Sequence, residues 1–332
     1  MSGNQRVLRS TAQRLHLQPM INTRSASAVD PDPESSPSNG TTIKLINLGT
    51  KLPGLTPSGL QHLRKMQTWL SSRRQITLSS LPTPKNPGGR DCAAKNLRTA
   101  LRASLAFAQP EAGSAVCIDG RGGWLLTCAH CFGDSEAEYA ALRSKRKWLL
   151  FYDGVAVQAE CRVWDGRRDL ALLKIVAVEM EVGGGGGGGS DTLIVNADDE
   201  SSVPPSFHFV QLASSFDEDA NLGMPITCIG QPGAEDLESA TARQTGYDII
   251  HISEGRFRGL IPGADPQDNS EIGTLKHDAW TYWGHSGAPL LRNRDAALIG
   301  LHSSWDDQTA MRHGVPLAAI SAFLNEHEGV IS

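Results

Sequence analysis

After residue 112 the sequence changes from helical spacing to short strand-like segments, and this change constrains the fold more than any other feature. The segments are apolar or alternating, and turn residues such as Asp119–Gly123 separate them. The predicted strands are Gly113–Ile118, Trp124–Thr127, Trp148–Tyr152, Val155–Trp164, Leu170–Val178, Phe207–Leu212, Pro225–Gly230, Tyr247–Ile252, Arg256–Leu260, Ala288–Leu291, Ala297–His302 and Gly314–Pro316. Many short strands in two groups, with few helices, predict an all-β protein built from two antiparallel β-barrels.

Helices and linkers divide the rest of the chain. Leucines recur at helical spacing along Asp91–Ala108, which predicts a lead-in helix, and a C-terminal helix is expected over Ala318–Glu328. We predict four regions: a largely disordered N-terminal leader at 1–90 with a short helix at 58–71; a helix plus the first barrel at 91–179; a flexible insertion at 180–206 around the glycine run Gly183–Gly189; and the second barrel at 207–332.

Composition excludes several classes of protein. With 39% hydrophobic and 20% charged residues, the 332-residue chain has the composition of a soluble globular protein. Its net charge of −5 argues against a nucleic-acid binder, and no apolar run approaches the roughly 18 residues that span a membrane. No secretory signal core is present. We therefore expect an intracellular protein with six thiols, cytoplasmic, or mitochondrial if the basic, acid-free residues 1–29 are a targeting sequence.

A serine between two glycines marks the first candidate for catalysis. In Gly284-His285-Ser286-Gly287-Ala288-Pro289, Ser286 can sit on a tight turn where no neighbouring side chain blocks a substrate. The same turn can aim the N–H groups of Gly284 and Ser286 at one point, as an oxyanion hole requires. The sequence therefore predicts a nucleophile with its oxyanion hole, provided that a base and an orienting acid lie elsewhere in the chain.

Both partners have candidates upstream. The apolar segment Leu125–Thr127 runs into a short turn that carries His130. Asp169 stands at the head of another apolar strand, close to the interior, where a carboxylate needs a partner. The order His130, Asp169, Ser286 is that of the chymotrypsin template and differs from those of subtilisin and the α/β-hydrolases.

At this point the sequence resembles the trypsin-fold serine peptidases, and among them the single-chain HtrA (Deg) branch. The resemblance covers roughly residues 95–328. Five motifs carry it: Gly113-Ser114-Ala115-Val116, Leu126-Thr127-Cys128-Ala129-His130, Asp169-Leu170-Ala171-Leu172-Leu173-Lys174, Ile229-Gly230-Gln231-Pro232-Gly233 and Asp278-Ala279 followed by Gly284-His285-Ser286-Gly287-Ala288-Pro289-Leu290.

The resemblance implies two six-stranded barrels with the three residues in the cleft between them. His130 would act as general base, Asp169 would orient it, and Ser286 would form an acyl-enzyme. Ser303 matches the family position whose hydroxyl supports the buried aspartate. Protein or peptide substrates are then expected, with no cofactor, no nucleic acid and no membrane partner; the oligomeric state stays open.

Three departures from the family pattern limit what carries over. One is Cys131, which matches a position that is disulfide-bonded in trypsins but has no obvious partner here, since Cys117 lies too near in sequence and in the wrong part of the strand. Trypsins have an aspartate before the serine that pairs with a newly cut N-terminus, and here the residue is His285. Activation by N-terminal cleavage is therefore not expected. The given sequence also ends soon after the last predicted strand, so the PDZ domain usual in HtrA proteins is not expected.

The specificity pocket is predicted from three positions. Trp280 stands where trypsins carry the aspartate that binds Arg or Lys, so cleavage after a basic residue is not expected. Thr281 follows it, and His302 lies 16 residues after Ser286, a pair that resembles the pockets of glutamyl endopeptidases and exfoliative toxins. A hydroxyl and an imidazole can donate to a carboxylate, so a preference for an acidic residue is predicted. The alternative is a small apolar pocket in which His302 only fills a buried strand position.

Other readings remain for the site as a whole. Cys128-Ala129-His130-Cys131 has the residue types of a metal cluster, but zinc sites need a second ligand pair and the spacing supplies none, so no metal is expected. The alternative function is a trypsin-fold binding module, catalytically silent or restricted to cleaving itself or one partner.

Overall fold

The strands close into two antiparallel barrels of six strands each, which confirms the predicted fold class. The structure is a computed structural model that describes residues 43–47, 51–81, 90–109, 111–180, 193–194, 205–217, 219–236 and 243–331. The predicted targeting sequence and most of the glycine-rich insertion lie outside these residues. Within them, no helix has the length and apolar character needed to cross a bilayer.

The first barrel runs in the order β2-β3-β4-β7-β6-β5 and closes from β5 back to β2. Its strands are β2 (Ser104–Phe107), β3 (Ser114–Asp119), β4 (Trp124–Thr127), β5 (Arg146–Phe151), β6 (Ala156–Asp165) and β7 (Leu170–Met180). A seventh strand, β1 (Lys44–Asn47), pairs in parallel with the end of β7. Since β1 and a helix cover the barrel there, β7 is buried along almost its whole length.

The second barrel runs in the order β10-β11-β12-β15-β14-β13 and closes from β13 onto β10. Its strands are β10 (Pro225–Gly230), β11 (His251–Leu260), β12 (Leu275–His277), β13 (Pro289–Arg292), β14 (Ala297–Trp305) and β15 (Arg312–Pro316). In the sequence between the two barrels, β8 (Leu193–Ile194) pairs with β9 (Ser206–Phe207).

In the described part of the chain, five α-helices and one 3₁₀ helix accompany the strands. They are α1 (Pro57–Ser79), α2 (Arg90–Ala103), the 3₁₀ helix Ala129–Phe132, α3 (Glu136–Ala141), α4 (Leu317–Glu326) and α5 (Glu328–Ile331). The C-terminal helix thus forms where it was predicted, and it breaks near His327.

Four predicted elements need correction. The predicted lead-in helix runs to Ala108, but residues 104–107 form β2 instead, because all four are buried and the segment pairs with β3 on one side and with β5 on the other. Of the predicted strand Tyr247–Ile252 only residues 251–252 are extended in the sheet, and they continue through Arg256–Leu260 as one strand, β11. Gly255 permits this continuity, since a Cβ there would lie 2.2 Å from the Ala279 nitrogen. The predicted strand Phe207–Leu212 shrinks to β9 and an isolated bridge at Leu212.

The leader is more ordered than predicted, because α1 packs on the first barrel. Thr56 caps it, accepting a hydrogen bond from the Gly59 N–H, and Pro57 occupies the first turn. Leu63, Met66 and Leu70 recur every three or four residues and are buried, so one face of the helix belongs to the core. The predicted short helix at 58–71 is therefore the first half of a 23-residue helix.

A bidentate ion pair between Arg64 and Glu179 attaches α1 to the first barrel. Both terminal nitrogens of Arg64 donate to the Glu179 carboxylate at 2.6 Å, and Gln67 donates to it at 3.1 Å. The Glu179 side chain is 1% exposed, so it depends on these donors.

We expect Arg64→Ala to lower the free energy of unfolding by about 2–4 kcal/mol, because it leaves the Glu179 carboxylate buried with only Gln67 as a donor. Arg146→Ala is the control: its pair with Glu160 is half-exposed, so its loss should cost about 0–1 kcal/mol. Urea denaturation measures both. Equal losses would show that the Arg64 pair does not anchor the helix.

Candidate active site

Ser286 lies on a turn whose two glycines are required by geometry. Gly284 and Gly287 have φ angles of +97° and +84°, in the left-handed region that favours glycine. A Cβ on Gly287 would lie 2.1 Å from the Ser114 carbonyl oxygen, and one on Gly284 would lie 2.5 Å from Cβ of Ala112. The turn can therefore pack this closely against the first barrel only with glycine at both positions.

His130 lies on the 3₁₀ helix that follows β4. Trp164 Nε1 donates to the Ala129 carbonyl at 2.9 Å, and Lys147 Nζ donates to the Cys131 carbonyl at 2.6 Å. These two donors hold the backbone on either side of His130. The side chain of His130 is 10% exposed, so its ring faces the cleft with one edge open.

Asp169 is the last residue of the turn between β6 and β7. Its φ of +54° is unusual for a residue other than glycine, although aspartate tolerates this region better than most. The turn is closed by the Arg168 N–H, which donates to the Asp165 carboxylate at 2.9 Å. Asp169 is 1% exposed. Its carboxylate accepts a hydrogen bond from the His130 backbone N–H at 3.2 Å and lies within reach of the His130 ring.

The three side chains meet in one line of hydrogen bonds. His130 Nδ1 lies 2.9 and 3.0 Å from the two carboxylate oxygens of Asp169, and His130 Nε2 lies 2.8 Å from Ser286 Oγ. A carboxylate fixes the proton of a neutral imidazole on Nδ1, so Nε2 is left with a lone pair aimed at the serine. Such an arrangement can remove the hydroxyl proton and make Ser286 a nucleophile.

A comparison with known families agrees with the fold. The family model described as "Trypsin-like peptidase domain" matches residues 113–301, more than half of the chain. The chain belongs to the trypsin-like peptidase domain family. The matched residues include strands of both barrels, and His130, Asp169 and Ser286 lie within them. No curated protein matched the chain.

Ser114 is a residue of this trypsin-like domain that sequence reasoning did not assign to the site. Its N–H donates to the Ser286 carbonyl at 2.8 Å, and its hydroxyl donates to the Gly284 carbonyl at 3.0 Å. The same hydroxyl accepts from the Gln231 N–H at 2.9 Å, and Thr127 donates to the Ser114 carbonyl at 2.7 Å. Ser114 thus joins the first barrel to the turn that carries Ser286. The only sequence signal for this residue is its place in the Gly113–Val116 motif.

His285, beside the nucleophile, anchors the turn with neutral contacts in place of an ion pair. It is fully buried, and its Nδ1 lies 3.1 Å from both the N–H and the carbonyl of Tyr282. The Tyr282 hydroxyl continues the chain to Asp236 at 3.1 Å. Burial, followed by the nearby His251, lowers the pKa of His285 to about 3, so its ring is uncharged.

Trp280 and His302, two of the residues predicted for the specificity pocket, both pack near the buried ring of His285, at 5.5 and 6.3 Å between ring centroids. The Trp280 ring packs edge-on against His251 at 4.5 Å and against His285 at 5.5 Å. Thr281 and His302 are 4% and 5% exposed. His302 holds the nucleophile's turn through its backbone, because its carbonyl accepts from the Gly287 N–H at 2.8 Å.

A second imidazole stands behind His302. His277 Nε2 lies 3.0 Å from His302 Nδ1, and both rings are buried. Burial, then the nearby His313, lowers the pKa of His277 to about 3, and burial, then His277, holds the pKa of His302 well below its usual value. Both rings are therefore neutral, and one donates its single proton to the other. Sequence reasoning missed His277, because it had not predicted β12.

Ser303 and the cysteines complete the surroundings. The Ser303 carbonyl lies 3.4 Å from Ser286 Oγ and its hydroxyl lies 3.3 Å from that of Ser304, so its support of Asp169 stays a prediction.

Free thiols, as expected, are found at Cys117, Cys128, Cys131, Cys161 and Cys228. Burial raises the pKa of Cys131 to about 11, which makes this neighbour of His130 a weak nucleophile.

The buried imidazoles predict instability in acid. Between the usual imidazole pKa of 6.5 and the value of about 3 for His277, the unfolded chain binds more protons than the folded one. The free energy of unfolding should therefore fall as the pH falls below about 6.5, by about 1.4 kcal/mol per pH unit for each such imidazole.

His277→Gln keeps a donor to His302 and removes one titrating ring, so it should flatten this slope. Lys276→Gln, which changes a charge on the same strand but no imidazole, is the control. Urea denaturation between pH 4 and 7 measures the slopes. A His277→Gln slope as steep as that of the wild type would contradict the assignment.

Proposed function

We propose that the protein is a serine endopeptidase that cleaves peptide bonds through Ser286, His130 and Asp169. The observation that carries this proposal is the pair of hydrogen bonds on the His130 ring, to Asp169 at 2.9 Å and to Ser286 at 2.8 Å. The match of residues 113–301 to the trypsin-like peptidase domain supports peptidase chemistry in general. Proteins or peptides are the proposed substrates, and no cofactor is needed for the reaction.

Each residue has a distinct part in the proposed mechanism. His130 Nε2 accepts the Ser286 hydroxyl proton as Oγ attacks the carbonyl carbon, and later returns it to the leaving amine. Asp169 stabilises the imidazolium that forms meanwhile. Water then attacks the acyl-enzyme by the same route, with His130 again as the base.

The oxyanion is assigned to the N–H groups of Gly284 and Ser286. Within the described residues, neither N–H has an intramolecular hydrogen bond, so both are available to a substrate. The hydrogen bonds from Ser114 to the carbonyls of both residues hold this backbone in place before the substrate arrives. One such donor typically contributes about 2.7–4 kcal/mol to the transition state.

A fluorophosphonate probe tests the nucleophile directly. We expect the wild type to be labelled at Ser286 and Ser286→Ala to remain unlabelled, with the site read by mass spectrometry. Ser79→Ala, on helix α1, is the matched control and should label like the wild type. An unlabelled but folded wild-type protein would favour the alternative of a silent binding module.

We further propose that the pocket prefers an acidic residue before the scissile bond. Thr281 and His302 supply donors without a permanent positive charge, and no aspartate stands at Trp280 to attract a basic side chain. If His277 donates to His302 Nδ1, the single ring proton of neutral His302 lies on Nε2. This N–H can then donate a hydrogen bond to a substrate carboxylate. The His277–His302 contact is what supports an acidic preference over a small apolar pocket.

Peptides that differ only in the residue before the cut test this preference. We expect faster cleavage after Glu than after Gln, Val or Leu. His302→Leu should lower kcat/KM for the Glu peptide by about 10–100-fold, the worth of a hydrogen bond to a charged group, and change the Leu peptide little. Faster wild-type cleavage after Val or Leu than after Glu would sink the proposal.

We also propose, on the sequence motifs alone, that the chain lies closest to the HtrA branch of the family. Neutral contacts around His285 support an enzyme that needs no newly cut N-terminus, because that residue makes no ion pair within the described part of the chain.

A further inference from the structure

We propose that Cys128, His130 and Asp169 form an inhibitory site for a thiophilic divalent cation such as zinc. The proposal rests on the proposed function, since the cation would occupy two residues of the catalytic cluster. Cys128 has no part in the proposed peptidase mechanism, yet its sulfur lies within 4.8 Å of a His130 ring nitrogen and an Asp169 carboxylate oxygen, the two side chains whose hydrogen bond that mechanism needs.

The ligand atoms already lie close to the spacing that zinc requires. The Cys128 sulfur, a His130 ring nitrogen and an Asp169 carboxylate oxygen all lie within 4.8 Å of one another. Zinc with ligand bonds of about 2.0–2.3 Å holds tetrahedral ligands about 3.5 Å apart. The sulfur has to move inward by about an ångström, and the 2.9 Å separation of His130 Nδ1 from Asp169 has to widen by about half an ångström.

The donor set fits zinc chemically. A thiolate, an imidazole and a carboxylate are the three ligand types that zinc accepts, and three protein ligands leave a fourth position for water. Cys128 and Asp169 are buried, and the ring of His130 is the exposed edge of the cluster. The soft thiolate favours zinc over magnesium or calcium, which select oxygen ligands.

Binding would switch off the base by moving a proton. In the active form, His130 Nδ1–H donates to Asp169 and Nε2 accepts from Ser286. When the cation takes Nδ1, the ring proton moves to Nε2, which then donates to Ser286 Oγ and cannot accept its proton. The Cys128 thiol releases its own proton to solvent as the metal–sulfur bond forms, so each bound ion frees one proton.

The surroundings can release Cys128 without leaving a buried acceptor unpaired. Cys128 Sγ donates to the His302 carbonyl at 3.3 Å. That carbonyl also accepts from the Gly287 N–H at 2.8 Å, so it keeps a partner when the thiolate turns to the metal. The contact that ties the nucleophile's turn to β14 is therefore preserved in the inhibited state.

The sequence alone argued against a metal because no second ligand pair follows Cys128 and His130 at zinc spacing. The third ligand comes from a different turn, 39 residues further on. Only the closure of β4 onto β7 brings Asp169 to the other two residues.

Inhibition by zinc tests the proposal in the intact protein. Each variant is assayed against its own activity in chelator, with zinc buffered at increasing free concentration. We expect Cys128→Ser to raise the concentration for half inhibition by at least about 10–100-fold, since it removes one of three ligands. Cys128→Ala serves the same comparison should the serine variant fold poorly. Cys131→Ser is the control, because Cys131 lies three residues away from Cys128 and outside the cluster. Zinc should inhibit this variant at the same concentration as the wild type.

Direct binding separates this proposal from the proposed function. Ser286→Ala, which has no activity to inhibit, should bind cobalt(II) and show a sulfur-to-cobalt charge-transfer absorption, and this band should be absent when Cys128→Ser is added. Inhibition unchanged by Cys128→Ser, or cobalt binding without the sulfur band, would overturn the site. Labelling of Ser286 by a fluorophosphonate in chelator would stand in either case.

Discussion

The hydrogen bond between Asp169 and His130 is the interaction on which the candidate site depends. A carboxylate with 1% exposure must be met by donors, and the backbone N–H and the ring of His130 supply them. The left-handed backbone at Asp169 brings the carboxylate to the ring as β7 begins. Once this bond fixes the ring, the direction of Nε2 is fixed as well, and Ser286 only has to be brought within reach.

Ser286 belongs to the second barrel, and contacts between the two barrels hold it next to His130. Ser114 of β3 hydrogen-bonds the carbonyls of Gly284 and Ser286, and Gly287 allows the approach by having no side chain. The His302 carbonyl accepts from the Gly287 N–H, so the turn is tied to β14 as well. The turn that carries Ser286 is therefore linked by hydrogen bonds to both β3 and β14, and a disturbance in one of these three segments should reach the others.

Sequence patterns predicted the elements with strong local signals and missed those that depend on partners. β4 and β10 have the predicted bounds, since turn residues flank apolar runs. Ser104–Phe107 was assigned to a helix, because a short apolar run fits either period until its neighbours are known. Leu275–His277 is only three residues long and is defined by pairing with β11 and β15, so His277 and its contact with His302 could not be foreseen. The three proposed catalytic residues were identifiable because glycine spacing and chain order are local or linear features, whereas the role of Ser114 exists only in three dimensions.

Rapid mixing with a nitrophenyl ester tests the central claim most directly, because nitrophenol would leave as Ser286 is acylated, whereas the acyl group would leave only in the later reaction with water. The account predicts an initial burst of about one equivalent of nitrophenol per protein, followed by slower turnover, and no burst from Ser286→Ala. A burst of equal size from Ser286→Ala, or nitrophenol release by the wild type without any acylated protein, would contradict it.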